Sequence, residues 1–155
     1  MQATLRRMRE ERAGTDRGFT LIELLVVVVI IGVLVAIAIP VYLNYRKGAE
    51  NKSAQSDVRN AVSAVEQFYT ENGNSYPPDT SATAPAKVTF HVAGGTDETA
   101  TLSDKNTLNY HNAGSSYWIC AENSDGGTVY VYNSSSGSGV NKTASSLASC
   151  TTTGS

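Results

Sequence analysis

An α+β fold is predicted by three features of the sequence: an apolar run long enough to cross a bilayer, an amphipathic continuation of that run with helical periodicity, and a glycine- and aromatic-rich remainder that alternates like short antiparallel strands. Together they predict one long N-terminal helix, its first half transmembrane, with the second half packed on a small antiparallel β-sheet of three or four strands. The 155 residues leave room for that helix and one small domain, and for no second catalytic domain.

Residues 1–18 are polar and charged and are expected to have no fold of their own. They carry Arg6, Arg7, Arg9, Arg12 and Arg17 against Glu10, Glu11 and Asp16, directly before the apolar run. The positive-inside rule therefore keeps this stretch cytoplasmic and exports the chain beyond Leu43, although Arg46, Lys47 and Lys52 on the far side weaken the bias. Residues 19–43 contain a single charged side chain, Glu23. At about 1.5 Å per residue a helix over this run spans a hydrocarbon core of roughly 30 Å. A conventional secretory peptide has a shorter apolar region that ends in small residues. A carboxylate inside such a helix costs on the order of 2.5–3.5 kcal/mol or more and ordinarily marks a function with a partner. The bland alternative is a tolerated residue that snorkels from the first turn to the membrane surface.

Arg17-Gly18-Phe19-Thr20-Leu21-Ile22-Glu23 after a short basic stretch, continuing without a gap through Pro40, resembles the class III signal sequence of type IV prepilins and pseudopilins. The resemblance implies that a prepilin peptidase removes residues 1–18 as a leader by cutting between Gly18 and Phe19, and that Phe19 is then N-methylated. Residues 19–43 become the transmembrane and assembly half of the helix, and residues 44–155 the exported globular domain. The carboxylate of Glu23 is implied to meet the α-amino group of a neighbouring subunit during filament assembly. Elementary electrostatics agrees, because a buried ammonium and a buried carboxylate are each costly alone and tolerable as a hydrogen-bonded pair. The implied partners are other copies of the chain in a helical filament, the prepilin peptidase, an inner-membrane assembly platform and a motor ATPase. The implied location is the cytoplasmic membrane before assembly and a surface pilus after it.

Beyond Leu43 the helix is expected to continue. Val58, Ala61, Val62, Val65, Phe68 and Tyr69 fall on one helical face, and Asp57, Arg59, Asn60, Glu66 and Gln67 are assigned to the others. Asn72-Gly73 is a plausible C-terminal cap, and Tyr76-Pro77-Pro78 prevents the helix from resuming. Gly32 and Pro40 are expected to interrupt the helix, since Pro40 cannot donate to the carbonyl of Ala36 and so kinks or loosens it. By the same resemblance, the segment between them melts into extended chain in assembled filaments. A helix with its second half wrapped by a sheet is also the pilin fold, so the residues and the resemblance predict the same architecture.

Residues 79–86 are Ser, Thr, Ala and Pro and read as a loop. Residues 87–93 alternate as a half-buried strand, and residues 98–102 form a weaker candidate. Residues 117–123 and 128–133, separated by Ser124-Asp125-Gly126-Gly127, read as a hairpin. Residues 134–155 have the Ser, Thr, Gly and Asn composition of a flexible tail. Cys120 and Cys150 are the only cysteines and both lie in the exported part. An oxidising compartment favours a disulfide that ties the tail to the strand of Cys120, worth roughly 3–4 kcal/mol on the chain-entropy model. Free thiols or part of a metal site are the alternatives, the latter weakened because no histidines cluster nearby.

No nucleophile motif, phosphate-binding glycine loop, metal-ligand spacing or carboxylate pair is present, so no catalysis and no cofactor are expected. His91 and His111 read as ordinary side chains rather than a shared site. Tyr117, Trp118, Tyr130 and Tyr132 read as strand packing rather than recognition. Three glycosylation sequons, at Asn51, Asn133 and Asn141, are of a kind that arises by chance in such a composition. The leader holds five of the 12 Lys and Arg and three of the 14 Asp and Glu. The mature side chains therefore number seven basic and eleven acidic, a net of −4, which is a poor footprint for a nucleic-acid binder. The expected function is that of a structural subunit of a type IV pilus. The alternative is a pseudopilin or minor pilin of a type II secretion or competence system.

Overall fold

The computed structural model describes residues 18–143 and 145–153. The expected leader, apart from Gly18, lies outside the described residues. The chain divides into two compact units between Val41 and Tyr42. Helix α1, Leu21–Glu71, runs through both and contains Pro40 without interruption of its helical assignment. Residues 18–49 are all exposed, including the whole of the apolar run.

Above residue 50 the helix buries one face. Val58, Ala61, Val65 and Phe68 are fully buried, as the periodicity predicts, and Ala54 and Ala64 extend the same stripe. The helix ends where it should: Asn72 N and Asn74 N donate to Phe68 O and Tyr69 O at 2.9 Å, and Gly73 turns the chain with φ of 67°. Asp57, which periodicity assigns away from the apolar face, is instead buried with 2% of its surface exposed. It accepts hydrogen bonds from Ser103 N at 2.7 Å, Ser103 Oγ at 2.9 Å and Asn106 Nδ2 at 2.6 Å. A residue one position from Val58 sits close enough to the stripe to be covered when the facing loop supplies donors.

The sheet is larger than three or four strands. The strands are β1 (Thr80–Thr83), β2 (Val88–Phe90), β3 (Glu98–Ala100), β4 (Asn106–Asn112), β5 (Tyr117–Asn123), β6 (Val129–Asn133) and β7 (Asn141–Thr143). Five form one antiparallel sheet in the order β1-β4-β5-β6-β7, while β2 and β3 pair separately. The β5–β6 hairpin and the β2 and β3 strands lie where the sequence places them. The expected loop at residues 79–86 contains β1, an edge strand paired to β4. The second strand of the sheet order, β4, carries no clear sequence signal: Leu108 and Tyr110 alternate with Thr, Asn and His, and asparagine disfavours strands. The tail expected to be flexible forms β7 and the short helix α2, Leu147–Thr153.

Alternation along β5 and β6 gives the sheet two apolar faces. Tyr117, Ile119, Ala121 and Tyr130 pack with Leu108, Tyr110 and the α1 stripe. Cys120, Val129 and Val131 point the other way and form a smaller cluster with Cys150 and Leu147 of the tail. Cys120 and Cys150 are joined as a disulfide, with Cα atoms 6.3 Å apart.

Candidate assembly site

Helix α1 begins with a reciprocal cap. Thr20 precedes the first helical residue, and its backbone N and Oγ1 both donate to Glu23 Oε2 at 2.9 Å, while Glu23 N donates to Thr20 Oγ1 at 3.2 Å. Leu24 N closes the first turn on Thr20 O at 3.2 Å. This is a capping box, in which threonine and a glutamate three residues on satisfy each other's amides at a helix start. The carboxylate also sits in the first turn, where the positive end of the helix favours a negative charge. Its second oxygen, Oε1, carries no hydrogen bond among the described residues.

Glu23 is therefore locally satisfied, and among the described residues one of its oxygens is left to receive a donor. The sequence carried the signal for Thr20 in the spacing Thr20-Leu21-Ile22-Glu23, which the charge anomaly at Glu23 overshadowed. Around it the surface is apolar and open: Phe19 is 91% exposed and Ile22 67%. A side chain added at Gly18 or Gly32 would meet nothing within 4 Å among the described residues, so neither glycine is demanded by packing there.

The remaining candidates do not converge. His91 Nδ1 lies 2.6 Å from Asp97, and His111 Nδ1 lies 2.7 Å from Asp79, so the two histidines serve different loops. Tyr117 is buried and donates to Glu66 at 2.6 Å; burial first, and this bond second, push its pKa up, so it stays a phenol. Tyr69, Tyr76, Tyr117, Tyr110 and Phe90 touch in series with ring centroids 4.5–5.7 Å apart, the tilted and edge-on contacts of a packed core. The sequon asparagines are engaged by their own loops or by neighbouring elements: Asn51 accepts from Thr128 N, Asn133 from Ser135, and Asn141 donates to Gly139 O. Among the described residues, no three His, Cys, Asp or Glu gather as metal ligands.

The family described as the prokaryotic N-terminal methylation motif matches residues 15–39. The chain is 32% identical over 131 residues to the fimbrial protein EcpC of Eikenella corrodens, covering 71% of this chain and 85% of that one. It is 41% identical over 56 residues to the type IV major pilin protein PilA of Myxococcus xanthus, and 39% identical over 62 residues to the type II secretion system core protein G of Pectobacterium carotovorum subsp. carotovorum. The last two matches span 36% and 40% of this chain and only 26% and 39% of those proteins.

Proposed function

Because the chain belongs to the type IV pilin family, whose members are structural proteins rather than enzymes, we propose that it is a subunit that polymerises through its apolar N-terminal helix into a cell-surface filament. The observation that carries this reading is the exposed apolar stretch of α1 headed by a capped glutamate with one oxygen that none of the described residues engages. A plain membrane anchor needs no carboxylate at that depth beyond its helix cap. A filament subunit does, once cleavage after Gly18 exposes an ammonium at Phe19. The mechanism then has three steps. The leader is removed and Phe19 methylated. Residues 19–43 stay in the bilayer, with the domain of residues 44–155 exported. Glu23 Oε1 then takes the Phe19 ammonium of a neighbour while Oε2 remains on Thr20, so neither charge enters the helix bundle alone. Loss of helix between Gly32 and Pro40 would let the bundle adjust during packing, aided by the missing amide of Pro40. Prepilin peptidase, an inner-membrane platform and a motor ATPase are the partners this route requires.

The match to a type II secretion core protein supports a second reading, a pseudopilin or minor pilin in a short filament. Sheared surface fractions separate the two. Abundant filaments built of this chain, with mass spectrometry placing methylated Phe19 at the mature N-terminus, are the expected result. Absence of the chain from surface filaments favours the second reading, and a mature chain that retains residues 1–18 overturns both.

A further inference from the structure

The polar ties between α1 and the rest of its unit are concentrated at the lower edge of the domain, and they close a circuit. Asp57 on α1 accepts from Asn106 Nδ2 of β4 at 2.6 Å, and Asn106 Oδ1 accepts from Asn123 Nδ2 of β5 at 2.6 Å. Asn123 Oδ1 in turn holds the backbone amides of Asp125 and Gly126 in the β5–β6 turn, at 2.9 and 3.3 Å. From that turn the circuit returns to the helix at two lower points, nearly two turns down at Asn51 and about three turns down at Arg46. Asp125 Oδ2 accepts from Arg46 at 3.0 Å, and Thr128 N donates to Asn51 Oδ1 at 3.1 Å. Gly126 lies so close to the helix that a Cβ there would collide with the Asn51 side chain and come within 3.1 Å of Asn51 N.

Above this stretch the helix is held by an apolar stripe ending at Phe68 and by the hydrogen bond from Tyr117 to Glu66; below Arg46, residues 18–45 are exposed. Apolar burial is strong but non-directional, and a stripe of Ala and Val gives little resistance to a turn that opens at its end. Hydrogen bonds to buried groups are directional and costly to leave unmade. A helix in water without tertiary contacts is marginal.

We infer that the circuit is a latch that sets how far α1 can lose helix from below. Turns below Arg46 open freely once hydrocarbon no longer supports them, whereas turns from Asn51 to Asp57 open only when the latch releases. The use made of this latch in assembly rests on the filament reading, but the latch itself belongs to the single subunit. It predicts a boundary in helix stability at residues 46–51, far from where Gly32 and Pro40 alone would place one.

Hydrogen–deuterium exchange of the full chain in detergent micelles tests it, comparing the wild type with Asn51→Ala/Asp125→Ala. In the wild type, amides of residues 51–57 exchange as slowly as those of β4 and β5. In the variant, residues 47–57 should exchange at least about tenfold faster, while residues 58–68 change less than about twofold. Equal exchange at residues 47–57 in both proteins overturns the latch. So does uniform acceleration across residues 47–68, which would reduce the contacts to ordinary stabilisation. Should the double variant not fold, Asn51→Ala alone gives the same test with an expected acceleration of about fivefold. A chain that shows the boundary yet forms no surface filament leaves the latch standing and overturns the filament reading. A filament-forming chain without the boundary does the reverse.

Discussion

Asp79 stands where the chain leaves the Pro77-Pro78 segment and enters the sheet, and both its oxygens are engaged. Oδ1 accepts from Asn112 N at 2.8 Å and Oδ2 meets His111 Nδ1 at 2.7 Å. Partial burial pushes its carboxyl pKa up, but the bonds from Asn112 and His111 and the attraction of the His111 ring together outweigh it and hold the pKa below the usual 3.8. A carboxylate whose folded pKa lies below its unfolded one contributes stability above the usual carboxylate range and loses it as pH falls through the folded value. Asp79→Asn should therefore lower the urea midpoint at pH 7, and the gap to wild type should narrow as the pH is taken below about 4. Trp118 is the only tryptophan and stacks on His111 at 5.3 Å, so its fluorescence follows this corner of the domain. A gap that stays constant with pH would show that the charge of Asp79 does not matter there. At the opposite edge, Asp125 is held below its usual pKa first by the hydrogen bond from Lys105, and Lys105 is raised by the same contact. Both are exposed, and pairs of that kind contribute little to stability. Their part in the lower edge is to aim the β5–β6 turn at the helix.

At the scale of elements, β7 pairs with β6 at the edge of the sheet, and α2 holds to the outer face by a small apolar cluster of Val129, Val131, Leu147 and the two cysteines. The Ser, Thr and Gly that dominate residues 134–153 offer little more surface to bury. The covalent bond therefore decides whether α2 stays docked on the sheet. On the chain-entropy account a bridge of this span contributes roughly 3–4 kcal/mol. Replacing Cys150 by Ser should make residues 134–153 the first site of limited proteolysis while the β4–β5–β6 core resists digestion. An unchanged digestion pattern would mean that the tail holds itself down. Another consequence falls on the β5–β6 turn: Gly126→Ala should cost about 1–3 kcal/mol in thermal or urea unfolding, because the new methyl meets the Asn51 side chain and the helix backbone. A stability within about 0.5 kcal/mol of wild type would show that the turn can retreat from the helix.

For the molecule as a whole the question is how an apolar helix leaves a bilayer for a filament, and Glu23 is where it can be tested. Its cap on Thr20 satisfies the helix start without a neighbour. Glu23→Val should therefore leave membrane insertion intact or improve it, while loosening the first turn of the helix. Filament yield should nevertheless fall sharply when the variant is expressed alone, since removing one member of a buried pair costs on the order of 3–5 kcal/mol. Co-expression with wild type should partly restore incorporation if the contact runs between subunits. Normal filaments from the variant alone would refute an assembly role for this carboxylate and leave the capping box as its whole purpose.

The long helix, its apolar half, its cap at Asn72-Gly73 and the β5–β6 hairpin were determined by local sequence, because each depends on periodicity, turn chemistry or backbone geometry within a few residues. The pairing of Cys120 with Cys150 was legible for a similar reason: with two cysteines only one bridge can form. Strands β1, β4 and β7 were not legible, since polar residues such as Asn106, Asn109 and Asn141 adopt strand geometry only when neighbouring strands take up their backbone groups. Asp57 was misplaced on the same ground. Helical spacing alone does not distinguish a carboxylate beside the apolar stripe that faces water from one that faces Ser103 and Asn106, forty-six and forty-nine residues away. The lower-edge circuit belongs wholly to tertiary structure, for it joins α1, β4, β5 and a turn that meet only after the sheet has closed over the helix.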